Sequence, residues 1–232
     1  MTNIVYRKIR RLNQDLVERF RKLDVASVHE ASGDDLLMDP TIRPLLEGVV
    51  VAGPAVTARN TPGDNLALHV ALDLARPGDV LVMTTGAIPQ NAIWGENATI
   101  FAQARGLAGV VCDGAIRDVA TVRAAGFPVW GSVVFARRSS KNQPVEVNVP
   151  IACGGLRVDP GDIVVADDDG VVVVRYADAE RVLIAAEKKK ASELERQPLL
   201  HAGESIYSVL GLDRELRRMG TQIVDAEYEL AE

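Results

Sequence analysis

The sequence predicts an α/β fold, a central sheet with flanking helices, and three observations carry that prediction. Between Val80 and Pro128 an apolar run (VLVMTT), an Ala-rich helical stretch and a second apolar run (AGVVCDG) follow one another. Two strands joined by a helical crossover lie parallel in one sheet. VLVMTT is continuously apolar before it turns polar, as in a strand covered on both faces. Further on, PVEVNVPIACGGLRVDPGDIVVADDDGVVVVRY holds several short β segments spaced too closely for more helical crossovers, so these pair largely antiparallel.

Taken in order, Ile4, Ile9, Leu12, Leu16, Val17, Phe20 and Leu23 recur at roughly helical spacing and predict one amphipathic helix over residues 4–23. In DVASVHEASG, Ser27 and Glu30 have the spacing of a capping box, and Gly33 stops the helix. VVVAGPAVTARN reads as a strand entering a Pro-containing turn. A helix from Asn65 to Ala75 follows, capped by Asp64 or Asn65 and stopped at Pro77-Gly78. GAIPQNAIWGEN reads as a long loop. The helix after it, Asn97 to Ala104, starts with backbone N–H groups of Asn97 and Ala98 that can hold a carboxylate or phosphate. VATVRAAG is a short helix, PVWGSVVFA a strand, and Asp167, Asp168 and Asp169 fit a polar hairpin tip. Residues 178–196 form a charged helix, and a shorter helical pattern covers Tyr207 to Met219 beyond Pro198.

Composition removes several function classes. With 232 residues, 47% apolar and 25% charged, the chain has ordinary globular values. Its formal net charge of -6 argues against a nucleic-acid surface. Cys112 and Cys153 make neither a disulfide framework nor a metal knuckle and are expected as buried thiols. Met1 to Arg21 is charged throughout, and no apolar run reaches membrane-spanning length, so a cytoplasmic, membrane-free protein is expected. There is no dinucleotide fingerprint, phosphate-gripping P-loop or G-x-S-x-G. His29 fits a hydrogen-bonded half-buried residue or a pocket rim, and His69 a satisfied core or interface histidine or a base.

The loops after two parallel strands open on one sheet edge, which gathers Glu96, Asp113, Arg117 and Asp118. Arg117 offers a planar fork for an oxyanion or enolate, and Asp118 a hard oxygen ligand. An Arg–Asp surface pair of little energetic weight fits these two residues equally well.

The blocks SVHEASG, IRPLLEG, VAGPAVTA, PGDN, HVALDLARPGDVLV, WGEN, GLAGVVCDGAIRDV, GFPVW, VNVPIACGG and VDPGDIVVADDDGVV, in this order from Val25 to Ala186, resemble the class II divalent-metal-dependent pyruvate aldolases. Those enzymes act on 4-hydroxy-4-methyl-2-oxoglutarate and 4-carboxy-4-hydroxy-2-oxoadipate, and they are related to the regulators of ribonuclease E activity. The resemblance implies a swivelling α/β/β/α core over residues 25–186, preceded by an N-terminal helix (1–24) and followed by a C-terminal helical arm (187–232), assembled as a homotrimer or homohexamer. It implies Asp118 as the ligand to Mg2+ or Mn2+, Arg117 at the keto oxygen and enolate, and Gly95, Asn97 and Ala98 at the pyruvyl carboxylate. Glu96 would hold a metal-bound water, and Glu193 would approach from an adjacent subunit. The implied reaction is retro-aldol cleavage of a small anionic 2-oxo acid to pyruvate, with oxaloacetate decarboxylation as a side activity. A non-catalytic, ring-shaped protein-binding regulator is the alternative. One departure stands out: where the aldolases carry an acid three residues after the metal-ligating Asp, this chain has Thr121.

Overall fold

The computed structural model describes residues 2–33, 35–86 and 91–226. Two compact units divide the chain, residues 1–188 and 189–232.

The first unit begins with β1 (Ile4–Val5), whose β-branched residues pair in parallel with Glu146 and Val147. That pairing breaks up the helix expected over residues 4–23, which is confined to α1 (Gln14–Phe20) and opened by Asn13 accepting the Asp15 N–H at 2.9 Å. α2 (Val25–Ser32) is capped by Asp24, whose carboxylate accepts from the Ser27 N–H at 2.7 Å, so Ser27 lies inside the helix and the expected box does not form. Burial of both Val25 and Val28 sets this earlier start, and Gly33 ends the helix at φ 74°.

After β2 (Arg43–Pro44), β3 (Val51–Arg59) runs through Pro54 without the expected turn. Residues Val51 to Pro54 pair antiparallel with residues 163–166, and from Ala55 onward the strand pairs in parallel with residues 80–84. The missing Pro54 N–H falls where the strand changes partners. α3 (Leu66–Leu74) leads to β4 (Val80–Thr84). Ala92–Trp94, expected as loop, forms β5 by pairing with the end of the next long strand; residues 87–90 of that loop lie outside the described residues.

α4 (Glu96–Arg105), β6 (Gly109–Ile116), α5 (Val119–Ala124) and β7 (Val129–Val134) complete the crossovers. β4, β6 and β7 are mutually parallel neighbours, as the helical connections require. β8 (Glu146–Val147), the antiparallel pair β9 (Ile151–Cys153) and β10 (Leu156–Val158), and the hairpin of β11 (Ile163–Asp167) and β12 (Gly170–Val174) follow. The larger sheet is mixed, in the order β1-β8-β3-β4-β6-β7-β2, with β11 on β3.

Period-two alternation divides the core. Leu81, Met83, Val110 and Cys112 pack with Leu68, Leu72, Ala98 and Ala102 of α3 and α4, while Val80, Val82 and Val111 pack with Val158, Val164 and Val173. A third cluster joins Phe20, Val25 and Val28 to Ile163, Val172, Val182 and Leu183. The last two belong to α6 (Ala179–His201), which continues past the expected end through Pro198. The second unit contains the remainder of α6, then α7 (Ile206–Val209) and α8 (Leu212–Arg218), with Leu194, Leu199, Ile206 and Leu210 exposed. No helix of the described residues is long and apolar enough to cross a membrane.

Candidate active site

Two turns meet at the edge where β5 and β6 end. The Arg117 N–H donates to the Trp94 carbonyl at 3.0 Å, and the Glu96 N–H donates to Oδ2 of Asp118 at 3.1 Å. Trp94 is fixed beneath them, with its Nε1 bonded to Thr99 Oγ1 at 3.0 Å and its ring stacked on Phe127 at 6.1 Å.

Asp118 stands at the N-cap of α5 in the left-handed region, φ 56°, ψ 34°. Asp tolerates this conformation better than most residues, and here it turns the carboxylate away from its own helix. The side chain makes no capping bond to α5; it reaches the first turn of α4. Arg117 lies alongside, its Nε 3.5 Å from Oδ2 of Asp118. Gly95, at the N-cap of α4, leaves room for both: a β-carbon there would sit 2.6 Å from Oδ2 of Asp118 and 3.1 Å from Cγ of Arg117.

Gly95, Glu96, Asn97, Ala98, Arg117 and Asp118 line one pocket of about 660 Å³, within the range of small-ligand sites. The N–H groups of Asn97 and Ala98 have no backbone or side-chain acceptor among the described residues, as expected at a helix start. Glu96 meets Asp118 through its backbone, and its side chain is exposed.

Asp113, expected at the same cluster, does not line the pocket. β6 extends past it to Ile116, and its carboxylate is drawn away by the Thr84 hydroxyl at 2.7 Å and the Thr85 N–H at 3.3 Å. Burial raises its pKa above the ordinary carboxylate value, against those donors. Glu193 lies on α6 in the second unit, paired with Lys189 at 2.7 Å.

Arg138 to Asn142, between β7 and β8, also line the pocket, a placement that no local feature of the sequence announces. Asp64 holds them there. This residue is 1% exposed, and its carboxylate accepts from the Leu66 N–H (2.8 Å), the Ser140 hydroxyl (2.7 Å), the Asn142 N–H (2.7 Å) and the Gln143 N–H. Burial works to raise its pKa, but the four donors together outweigh it and hold the carboxyl below its usual range. Ala92 accepts from Ser139 and donates to Arg137, closing the loop onto β5. The signals were present in the polar run RRSSKN and in PGDN, but only the fold shows that they meet. His69 also lines the pocket and is exposed; its pKa is lowered first by partial burial and then by the nearby Lys141 charge, against Asp64.

Among the described residues no group of three or more His, Cys, Asp or Glu is placed to hold a metal. The carboxylates that line the pocket are those of Glu96 and Asp118, and Oδ1 of Asp118 accepts no hydrogen bond from any described residue. That suits a hard cation keeping most of its own water, as Mg2+ does, and not a cage of protein ligands.

A sequence profile of the RraA-like family, described as Aldolase/RraA, matches residues 23–173. A protein of Halalkalibacterium halodurans provisionally named as a 4-hydroxy-4-methyl-2-oxoglutarate aldolase is 38% identical over 183 residues, covering 79% of this chain and 87% of that protein. Among solved structures, an uncharacterised protein of Pseudomonas syringae pv. tomato is similar at a TM-score of 0.77 and 26% identity, over 86% of this chain and 98% of that one. RraAS2 of Streptomyces coelicolor, described as an unusual member of the RNase ES inhibitor RraA protein family, is similar at 0.72 and 30% identity, over 82% of this chain and all of that one. The fold, the order of its sequence blocks and the profile match agree: the chain belongs to the RraA-like, Aldolase/RraA family.

Proposed function

We propose that the protein is a divalent-metal-dependent pyruvate aldolase that cleaves a 4-hydroxy-2-oxo dicarboxylic or tricarboxylic acid to pyruvate and a second 2-oxo acid. The observation that carries this reading is the placement of the Asp118 carboxylate and the Arg117 guanidinium side by side against the β-carbon position of Gly95, at the exposed start of α4.

The unpartnered N–H groups of Asn97 and Ala98 would receive the carboxylate next to the keto group. Arg117 would donate to the keto oxygen and to the enolate oxygen that replaces it, and its charge gains value as the enolate forms. Asp118 would hold Mg2+ or Mn2+, which supplies Lewis-acid polarisation of the 2-oxo group. The C4 hydroxyl would give its proton to a water in the pocket as the C3–C4 bond breaks and C4 becomes the keto carbon of the second product; the bonding pair would move into the enolate, and a proton returned from water to C3 would complete pyruvate. Oxaloacetate would lose carbon dioxide through the same enolate. Glu96 would orient water beside Asp118, and Glu193 would act from a neighbouring subunit of a homotrimer or homohexamer.

The deciding experiment treats purified protein with chelator. It then measures pyruvate from 4-hydroxy-4-methyl-2-oxoglutarate, 4-carboxy-4-hydroxy-2-oxoadipate and oxaloacetate, with and without Mg2+ or Mn2+. Metal-dependent pyruvate that disappears in Asp118→Ala is the expected result. Its absence from all three overturns the aldolase and favours a non-catalytic protein-binding regulator, the reading to which similarity to RraAS2 points.

A further inference from the structure

We infer that the loop between β7 and β8 is the subsite for the substrate's distal carboxylate, with Arg138 and Lys141 as the residues that select a diacid over a substrate with an uncharged tail. The inference rests on the aldolase reading for the identity of the substrate, and it goes beyond that reading by assigning the far end of the pocket.

Arg138 and Lys141 line the same pocket as Arg117 and Asp118 but come from a different connection, the one between β7 and β8. Both are exposed, and neither has an ion-pair partner among the described residues. Arg11 and Arg59, by contrast, are engaged: Arg11 is bound to Asp79 at 2.7 Å and Arg59 to Glu146 at 2.7 Å. The carboxylate closest to the loop, Asp64, is engaged by donors of the loop backbone and Ser140, so it fixes the loop's path without neutralising either cation. Lys141 lies near enough to His69, which lines the same pocket, for its charge to act on that imidazole.

The pocket thus has two anion-accepting ends. One is the start of α4 with Arg117; the other is the pair Arg138 and Lys141, held on a loop that is pinned at Ala92, Asn65 and Asp64. A planar guanidinium and a point-like ammonium suit a carboxylate, whereas an alkyl tail would have to strip water from both without compensation. A wall pinned by a buried carboxylate is already ordered before binding, so little conformational entropy remains to be lost.

The test uses full-length protein with Mg2+ and compares 2-oxoglutarate with 2-oxopentanoate, which has the same chain length and no distal charge, by titration calorimetry. The wild type is expected to bind 2-oxoglutarate about tenfold more tightly, the scale of one charge-assisted hydrogen bond. Lys141→Met and Arg138→Gln each reduce that ratio, and the double variant brings it close to one while leaving pyruvate affinity and melting temperature unchanged. A wild-type ratio near one, or a double variant that keeps the wild-type ratio, overturns the inference. Failure of the aldolase reading registers separately: the wild type then releases no pyruvate from any 4-hydroxy-2-oxo acid while the ratio and its loss persist.

Discussion

The β-carbon that Gly95 lacks would stand 2.6 Å from Oδ2 of Asp118, so the carboxylate occupies space that any other residue at position 95 would claim. The backbone there is extended, φ -175°, and demands no glycine. The requirement is one of room, and a Gly95→Ala variant isolates it. Displacing Asp118 and Arg117 by a fraction of an ångström to an ångström is expected to lower kcat/KM for pyruvate release by about 100-fold. The melting temperature should barely move; wild-type turnover would show that the close approach has no catalytic meaning.

Asp64 links stability, loop order and pH. Asp64→Asn replaces an acceptor of four donors with a group that is itself half donor, and a loss of about 2 kcal/mol is expected from the broken charge-assisted bonds. The folded-state pKa lies below the ordinary value, so the contribution is present above that value and is lost as pH falls through the folded pKa. Denaturant titrations should therefore separate the two proteins at neutral pH and bring them together in acid. A gap that stays constant with pH would contradict the role of the charge.

Thr121 is exposed on the first turn of α5, three residues beyond Asp118. Thr121→Glu adds a carboxylate near a helix start, where negative charge is favoured, and close in sequence to the proposed cation ligand. The half-saturating Mg2+ concentration for pyruvate release should fall severalfold. An unchanged value would separate this position from metal binding.

Cys112 and Cys153 are fully buried, and burial raises both thiols well above their usual pKa. Mass analysis after iodoacetamide treatment should find neither modified in the native protein and both modified after unfolding. Alkylation of either in the native state would show that the core opens around that cysteine.

The parallel core was legible because crossover connections constrain topology strongly, and VLVMTT and AGVVCDG carry the burial pattern of covered strands. The N-terminal segment was not: Ile4 and Val5 fit a helical stripe, yet their distant partner, Glu146–Val147, decides their conformation. Pro54 misled for a related reason, since only the change of sheet partner explains a proline within β3. At the candidate site, Arg117, Asp118 and the start of α4 were readable from local order and from family resemblance. Asp113 was misplaced because its Thr84 and Thr85 contacts are set by strand register, and the loop 138–142 was missed because its anchor lies more than seventy residues earlier in the chain.

That anchor has a consequence for how such a protein can diversify. Asp64 grips two main-chain N–H groups of the β7–β8 connection, and Ser139 and Ser140 add side-chain bonds, so the remaining side chains on that connection are free to vary without loosening its seat. Bond-breaking chemistry and tail preference then reside on separate, exchangeable lengths of polypeptide. Grafting residues 137–141 from a relative should carry that relative's preferred tail with it and leave the turn at Arg117 and Asp118 as it was.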